Sequence, residues 1–354
     1  MTAIMKQRNA VGLLALLAAA IAFPFVFSDP TTTTIALFAL IYACAATGWN
    51  IFSGYTGYIA LGHAAYFGVG AYSLAIICNN SKIPGGYLPL FLVPVCGLIA
   101  GVFAIPLGAI ALRTRRHTFV VVTVATFFIM QLLAYNLRGL TNGSTGLDMP
   151  IPLQWNGVWG GAFYNVPFYF TALIATLLAL AVSWFVRNSK FGLGLLAIRD
   201  DEDRARGLGV KTSSSKLIAF VISAIFTGMG GAIFAYYLGH VTPQFTFEAL
   251  FDVAIALMVF MGGLGTLTGP ILGALVLESA QQILTVNFPS AGLYLILYGV
   301  LFLVVILLLP QGIVPSLRTL WNKWQMSRQA PLNAPPAASQ ESRSLTPKAE
   351  EATA

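Results

Sequence analysis

Long uninterrupted apolar runs constrain this 354-residue chain more than any other feature. They cover residues 11–27, 34–52, 88–112, 118–137, 166–186, 217–238 and 292–309. Each is close to the roughly 20 residues that cross a hydrocarbon core as a helix. Only 9% of the residues are charged and 57% are hydrophobic, where soluble domains carry about 25% charge. A spanning barrel would instead show short segments of roughly ten residues alternating apolar and polar. The fold class that follows is all-α, a polytopic helical membrane protein.

Two further regions add spans. Residues 57–77, "GYIALGHAAYFGVGAYSLAII", are apolar but rich in glycine and carry His63. They form a third span with a break. Residues 248–284 hold too many apolar positions for one helix, and "FMGGLGTLTGP" divides them at a glycine-proline turn. Two spans result, 249–261 and 268–284. Of the 19 Lys and Arg residues, 17 then fall in segments 1–10, 53–57, 113–117, 187–216, 262–267 and the C-terminal tail, all on one side. Only Lys82 and Arg138 lie opposite. Lys and Arg concentrate on the cytoplasmic side, so about ten spans with both termini cytoplasmic are expected, and nine would strand the basic tail outside.

The transmembrane domain therefore covers 1–310 and a largely disordered cytoplasmic tail, rich in Pro, Ala and Ser, covers 311–354. The N-terminal run reads as an uncleaved first helix, because no small-x-small cleavage site follows it; a signal peptide is the alternative. Residues 138–165, rich in Gly, Asn and Trp, form the longest outer loop. Cys44, Cys78 and Cys96 lie inside apolar runs without ligand spacing and read as small packing residues.

One stretch is out of keeping. "AIRDDEDRARGLGVK", residues 197–211, holds four of the twelve acidic residues side by side, Asp200 to Asp203. A topology signal needs only Lys and Arg, so the acids have another use. Asp200, Asp201, Glu202 and Asp203 suit the first turn of a short helix. Arg204 and Arg206 follow, and Gly207 and Gly209 stop it. A short helix on the cytoplasmic face with both charge signs exposed suits docking to another protein.

"DRARGLG", residues 203–209, resembles the acidic-x-Ala-x-x-x-Gly core of the coupling loop in permease subunits of bacterial ABC importers, with Arg204 at a position where Ala is common. "SGYTGYIALGHAAYFGVGAYSLA" (53–75), "LTNGSTGLDMPIP" (140–152, Asn142 replacing a glycine) and "MGGLGTLTGPILGALV" (261–276) resemble blocks of the permeases that import branched-chain amino acids. The chain is similar to the longer, LivM-like subunit of that family. The resemblance implies a multi-pass protein of the bacterial inner membrane. Its implied partners are a second related permease, two cytoplasmic ABC ATPases, an outer solute-binding protein and the lipid bilayer, with no nucleic acid. Arg199, Asp200, Asp201, Glu202, Asp203, Arg204, Ala205, Arg206 and Gly209 would couple to the ATPases. The family also includes importers of urea and other small solutes.

No G-x-x-x-x-G-K-[ST] phosphate loop occurs in the chain, so ATP and Mg are expected on the partner ATPases, with no cofactor, metal site or enzymatic activity here. The glycines at 54, 57, 62, 68 and 70 are denser than packing demands. Broken backbone at membrane depth is tolerated where it is buried in protein or lines a cavity. Gly54, Gly57, Tyr58, Gly62, His63, Tyr66, Phe67 and Gly70 are accordingly expected to line the solute path, at the interface with the partner permease. His63 contacts either solute or, more simply, a backbone carbonyl. Asp252 is expected near water at the outer end of its span, and Glu278 beside a helix neighbour or Gln281. Intramembrane carboxylates of this kind keep an ion-coupled secondary transporter as the rival class. That class would have no use for the 197–211 helix.

Overall fold

The computed structural model describes residues 17–27, 29–150, 164–288, 293–308, 312–317 and 319. The expected elements at 1–16, 151–163 and most of the tail lie outside them. One unit runs to Pro315; of the second, from Ser316 onward, only 316, 317 and 319 are described.

The chain is a helical bundle. In order it forms α1 (Leu17–Val26), α2 (Pro30–Trp49) continued by a π-helix (Asn50–Gly54), α3 (His63–Asn80), α4 (Val93–Ala111) and α5 (Arg116–Asn136). Then follow α6 (Val166–Asn188), α7 (Lys190–Asp200), α8 (Glu202–Gly207), α9 (Thr212–Leu238), α10 (Ala249–Gly262), α11 (Gly269–Asn287) and α12 (Leu293–Leu308). Among the described residues seven helical segments are long and apolar enough to cross a membrane: Pro30–Gly54, α4, His117–Asn136, α6, α9, Pro243–Gly262 and α11. The protein is a polytopic helical membrane protein. Three further helices, α1, α3 and α12, fall on the remaining apolar runs.

α9 is the centre of the bundle and packs against α2, α3, α4 and α6. Small residues let it do so. A Cβ added at Gly70 would meet the backbone of Gly228, and one at Gly231 the backbone of Phe67, so α3 and α9 touch main chain to main chain. Gly97 and Gly101, four apart on α4, make room for the side chains of Met229 and Ile225 of α9.

Several boundaries depart from the sequence reading. The span expected at 57–77 is helical only from His63; residues 57–62 are not helical. The 88–112 run is interrupted at Leu92, between a four-residue helix (Leu88–Phe91) and α4. Within 138–165, expected as a loop, the described residues include a short strand. Leu147–Asp148 (β1) pairs antiparallel with His240–Val241 (β2) and ties the loop to the segment after α9.

Asn142 sits at φ +60°, in the left-handed region, and its Nδ2 donates to the Gly146 carbonyl at 3.0 Å. That conformation explains why Asn can stand at a glycine position of the motif. Asn142→Val places a β-branched residue there at a cost of roughly 1–2 kcal/mol. The purified chain is expected to melt at a lower temperature, with Asn142→Gly losing less.

Candidate coupling site

The charged stretch begins where α6 ends. Ser189 is extended, and its hydroxyl accepts from the Gly192 N–H at 3.1 Å, capping α7. α7 runs to Asp200, so Asp200 closes that helix and does not open the next one as the sequence suggested. Asp201 breaks the chain at φ −156° and caps α8, its Oδ1 accepting from the N–H groups of Asp203 and Arg204 at 3.0 Å. Glu202 and Asp203 then stand at the positive end of α8, and Arg204 and Arg206 at the negative end. Gly209, at φ +86°, stops it. The N–H of Gly209 donates to the Arg206 carbonyl and that of Val210 to the Ala205 carbonyl, the paired bonds of a Schellman ending.

α8 has two faces. Outward are Asp203, Arg204, Arg206, Gly209 and Leu208, the last 84% exposed. A leucine this exposed on a charged helix end stands out from the buried apolar residues around it, and charge patterning does not single it out. The Arg204–Asp201 pair, 3.0 Å apart, is solvent-exposed and contributes little. Inward, Ala205 is buried and Glu202 reaches the bundle. Its Oε1 lies 2.7 Å from Lys216 Nζ on α9 and 3.5 Å from Arg206, and its Oε2 accepts from the Tyr58 hydroxyl. The Lys216 side chain is only 4% exposed and its ammonium lies 4.3 Å from the Tyr58 ring centroid. Burial works to raise the Glu202 pKa, but the Lys216 and Tyr58 hydrogen bonds and the nearby cations hold it below the usual range.

A second link runs beside the first. Arg199 on α7 donates to the Gly54 carbonyl at 3.0 Å and lies across Gly57, whose φ is +72°. Arg187 donates to the Gly265 carbonyl at 2.8 Å. Asn50 closes the circuit: its Oδ1 accepts from Gly265 N–H at 2.8 Å and its Nδ2 donates to the Thr266 carbonyl at 2.9 Å. The charged loop is thus bonded to the π-helix, to the unwound segment after it, and to the 263–268 turn. An open groove of about 710 Å³ separates it from the α4–α5 turn, with Arg113 and Arg115 on one wall and Asp200, Asp203 and Lys216 among the lining.

The residues expected to line a path divide between two places. Gly54, Gly57 and Tyr58 belong to the loop contacts above. Gly62, His63, Tyr66, Phe67 and Gly70 are buried by other helices of this same chain. Tyr66 packs edge-on to Phe220, and Phe67 lies 4.3 Å from Phe251, centroid to centroid. They therefore do not form a face toward a partner permease in this structure. His63 is not bonded to a carbonyl: its Nε2 lies 2.6 Å from the Ser223 hydroxyl. Asp252 is not near water either. It is 3% exposed and accepts from the Ala64 N–H at 3.0 Å, because the chain dips inward before α10: Phe247 stacks on Tyr72 and covers Gly68. Glu278 is bonded to Gln282, at 2.9 Å, and not to Gln281.

A family model for the permease component of branched-chain amino acid transport systems matches residues 31–306. The chain belongs to that permease family. It is 31% identical over 329 residues to the high-affinity branched-chain amino acid transport system permease protein LivM of Escherichia coli K12, covering 86% of this permease and 75% of LivM. LivH of Salmonella typhimurium LT2 is 27% identical over 284 residues, 77% of this permease and 91% of its own length. The autoinducer 2 import system permease protein LsrC of Yersinia pseudotuberculosis is 36% identical over 116 residues, 31% of this chain and 33% of its own. No solved structure matches.

Proposed function

We propose that this chain is the membrane-spanning permease subunit of an ATP-driven importer of branched-chain or related hydrophobic amino acids in the bacterial inner membrane. It crosses ten times with both termini cytoplasmic, the seven long helices being joined by α1, α3 and α12. A second related permease pairs with it, and two cytoplasmic ATPases hold ATP and Mg. A solute-binding protein delivers the amino acid from outside. The observation that carries this reading is the two-faced α8: Leu208, Asp203 and Arg204 outward, Glu202 bonded inward to Tyr58 and Lys216. Such a helix couples an external push to the bundle.

The test is detergent purification of the tagged chain from its native membrane, with identification of bound ATPase subunits. Reversing both outward charges (Asp203→Arg with Arg204→Asp) is expected to remove the ATPases at least about tenfold while leaving membrane insertion intact. Charge changes after residue 340 should be silent. A chain that purifies alone yet moves solute under an ion gradient would sink the proposal.

A further inference from the structure

α3 begins inside the bundle with no capping side chain of its own: Gly62 stands at the N-cap position. The acceptor comes from across the bundle. Asp252 of α10 takes the Ala64 N–H with Oδ1, while its Oδ2 has no hydrogen-bond partner among the described residues. Beside it, His63 is fully buried, with Nε2 on Ser223 and Nδ1 unpartnered. Two polar atoms are thus left unsatisfied at the positive end of an 18-residue helix. Buried polar atoms without partners are costly and call for an explanation.

The surroundings fit a transient site. The backbone leading into α3 is held by side chains from other elements rather than by helix bonds. Ala60 N–H donates to Ser53 Oγ at 3.3 Å, Leu61 N–H donates to Thr123 Oγ1 at 3.1 Å, and Trp49 Nε1 donates to the Ala60 carbonyl at 2.7 Å. Thr123 belongs to α5, which packs on the bundle through few neighbours and shows much of its surface. Displacing α5 outward frees Leu61 and uncovers Gly62, which lies against the Thr123 backbone.

We propose that Asp252 and the start of α3 form a binding site for the charged backbone of a zwitterionic amino acid, shown here closed on itself. The solute's ammonium pairs with Asp252, and its carboxylate takes the Ala64 N–H in place of Oδ1. His63 Nδ1 bonds to either charged group. Discontinuous helices that present an N-terminus to a solute carboxylate are a recurrent transporter device, and the helix dipole favours the exchange. The proposal rests on the amino-acid reading above, and adds that recognition uses both solute charges.

The complex purified through a tag on this chain is reconstituted in liposomes with its solute-binding protein, and ATP-driven uptake of radiolabelled leucine is measured. Asp252→Asn keeps an oxygen for the Ala64 N–H but loses the charge. It is expected to lower maximal uptake at least about tenfold while the ATPases co-purify at native yield, and Asp252→Glu should restore part of the loss. A structural cap alone predicts Asn uptake within about twofold of native, and that result overturns the proposal. If the Asn chain does not assemble, Ser223→Cys in an otherwise native chain decides. Leucine added during turnover should slow thiol labelling at Cys introduced there, and equal labelling with and without leucine overturns it. Native complex that takes up no leucine removes the amino-acid reading itself, whatever Asp252 does.

Discussion

Glu202→Ala is expected to separate ATP hydrolysis from solute movement, raising the ATP spent per solute at least about tenfold. Glu202 sits between a buried ammonium and a buried tyrosine, so its loss leaves Lys216 with the Tyr58 ring and no anion. The ammonium is buried but the carboxylate is partly exposed, so breaking the pair from one side costs less than the roughly 3–5 kcal/mol of a fully buried pair, whereas replacing both partners by apolar groups is often neutral. The double variant Glu202→Ala with Lys216→Met should therefore recover thermal stability. It should not recover coupling, because the Glu202 link from α8 to residue 58 and Lys216 would remain missing. Recovery of both would mean that the pair only stabilises the fold. Acid should act in the same direction. The Glu202 pKa is depressed in the folded chain, so its contribution is present above the ordinary carboxylate range and lost as pH falls through the lowered value.

Gly70→Val should have the largest effect on folding. A side chain at 70 meets the Gly228 main chain, which cannot swing away as a flexible side chain would. Overpacking costs typically ~1–3 kcal/mol and occasionally more, and here α3 would be driven off the central helix α9. The expected result is loss of monodisperse protein in detergent, with Gly70→Ala intermediate. Gly207→Val, where a side chain meets open space, is the comparison, expected to stay within about 1 kcal/mol of native because it faces solvent in a short helix.

The helices were legible because lipid demands long apolar runs, although the non-helical 57–62 and the break at Leu92 lie inside such runs. The two-faced α8 was legible from charge order, although its start was misplaced by one or two residues. Asp200 and Asp201 are chemically equivalent in sequence, and only the extended backbone at 201 makes it the cap. The contact of Tyr58 with Glu202 joins positions far apart in the chain and has no periodic trace, which put Tyr58 on a solute path rather than against the loop. For the same reason Lys216 reads in sequence as one more cytoplasmic-side charge. The burial of Asp252 leaves no trace in its distance along the chain, because the segment at 240–248 folds inward before α10 begins. Leu208 was hidden by being an ordinary apolar residue; its exposure alone marks it.

The π-helix at Asn50–Gly54 gives α2 an unusual property. Its turn holds more residues than an α-turn does, and Gly54 leaves the room into which the Asn50 side chain folds. Rewinding that turn as α-helix would carry everything after it forward by one residue, about 1.5 Å along the axis and about 100° around it. Tyr55, Gly57 and Tyr58 lie just beyond. The bulge is thus a store of register: the chain between loop and bundle can change which side chains face α7 and α8 while keeping α2 wound.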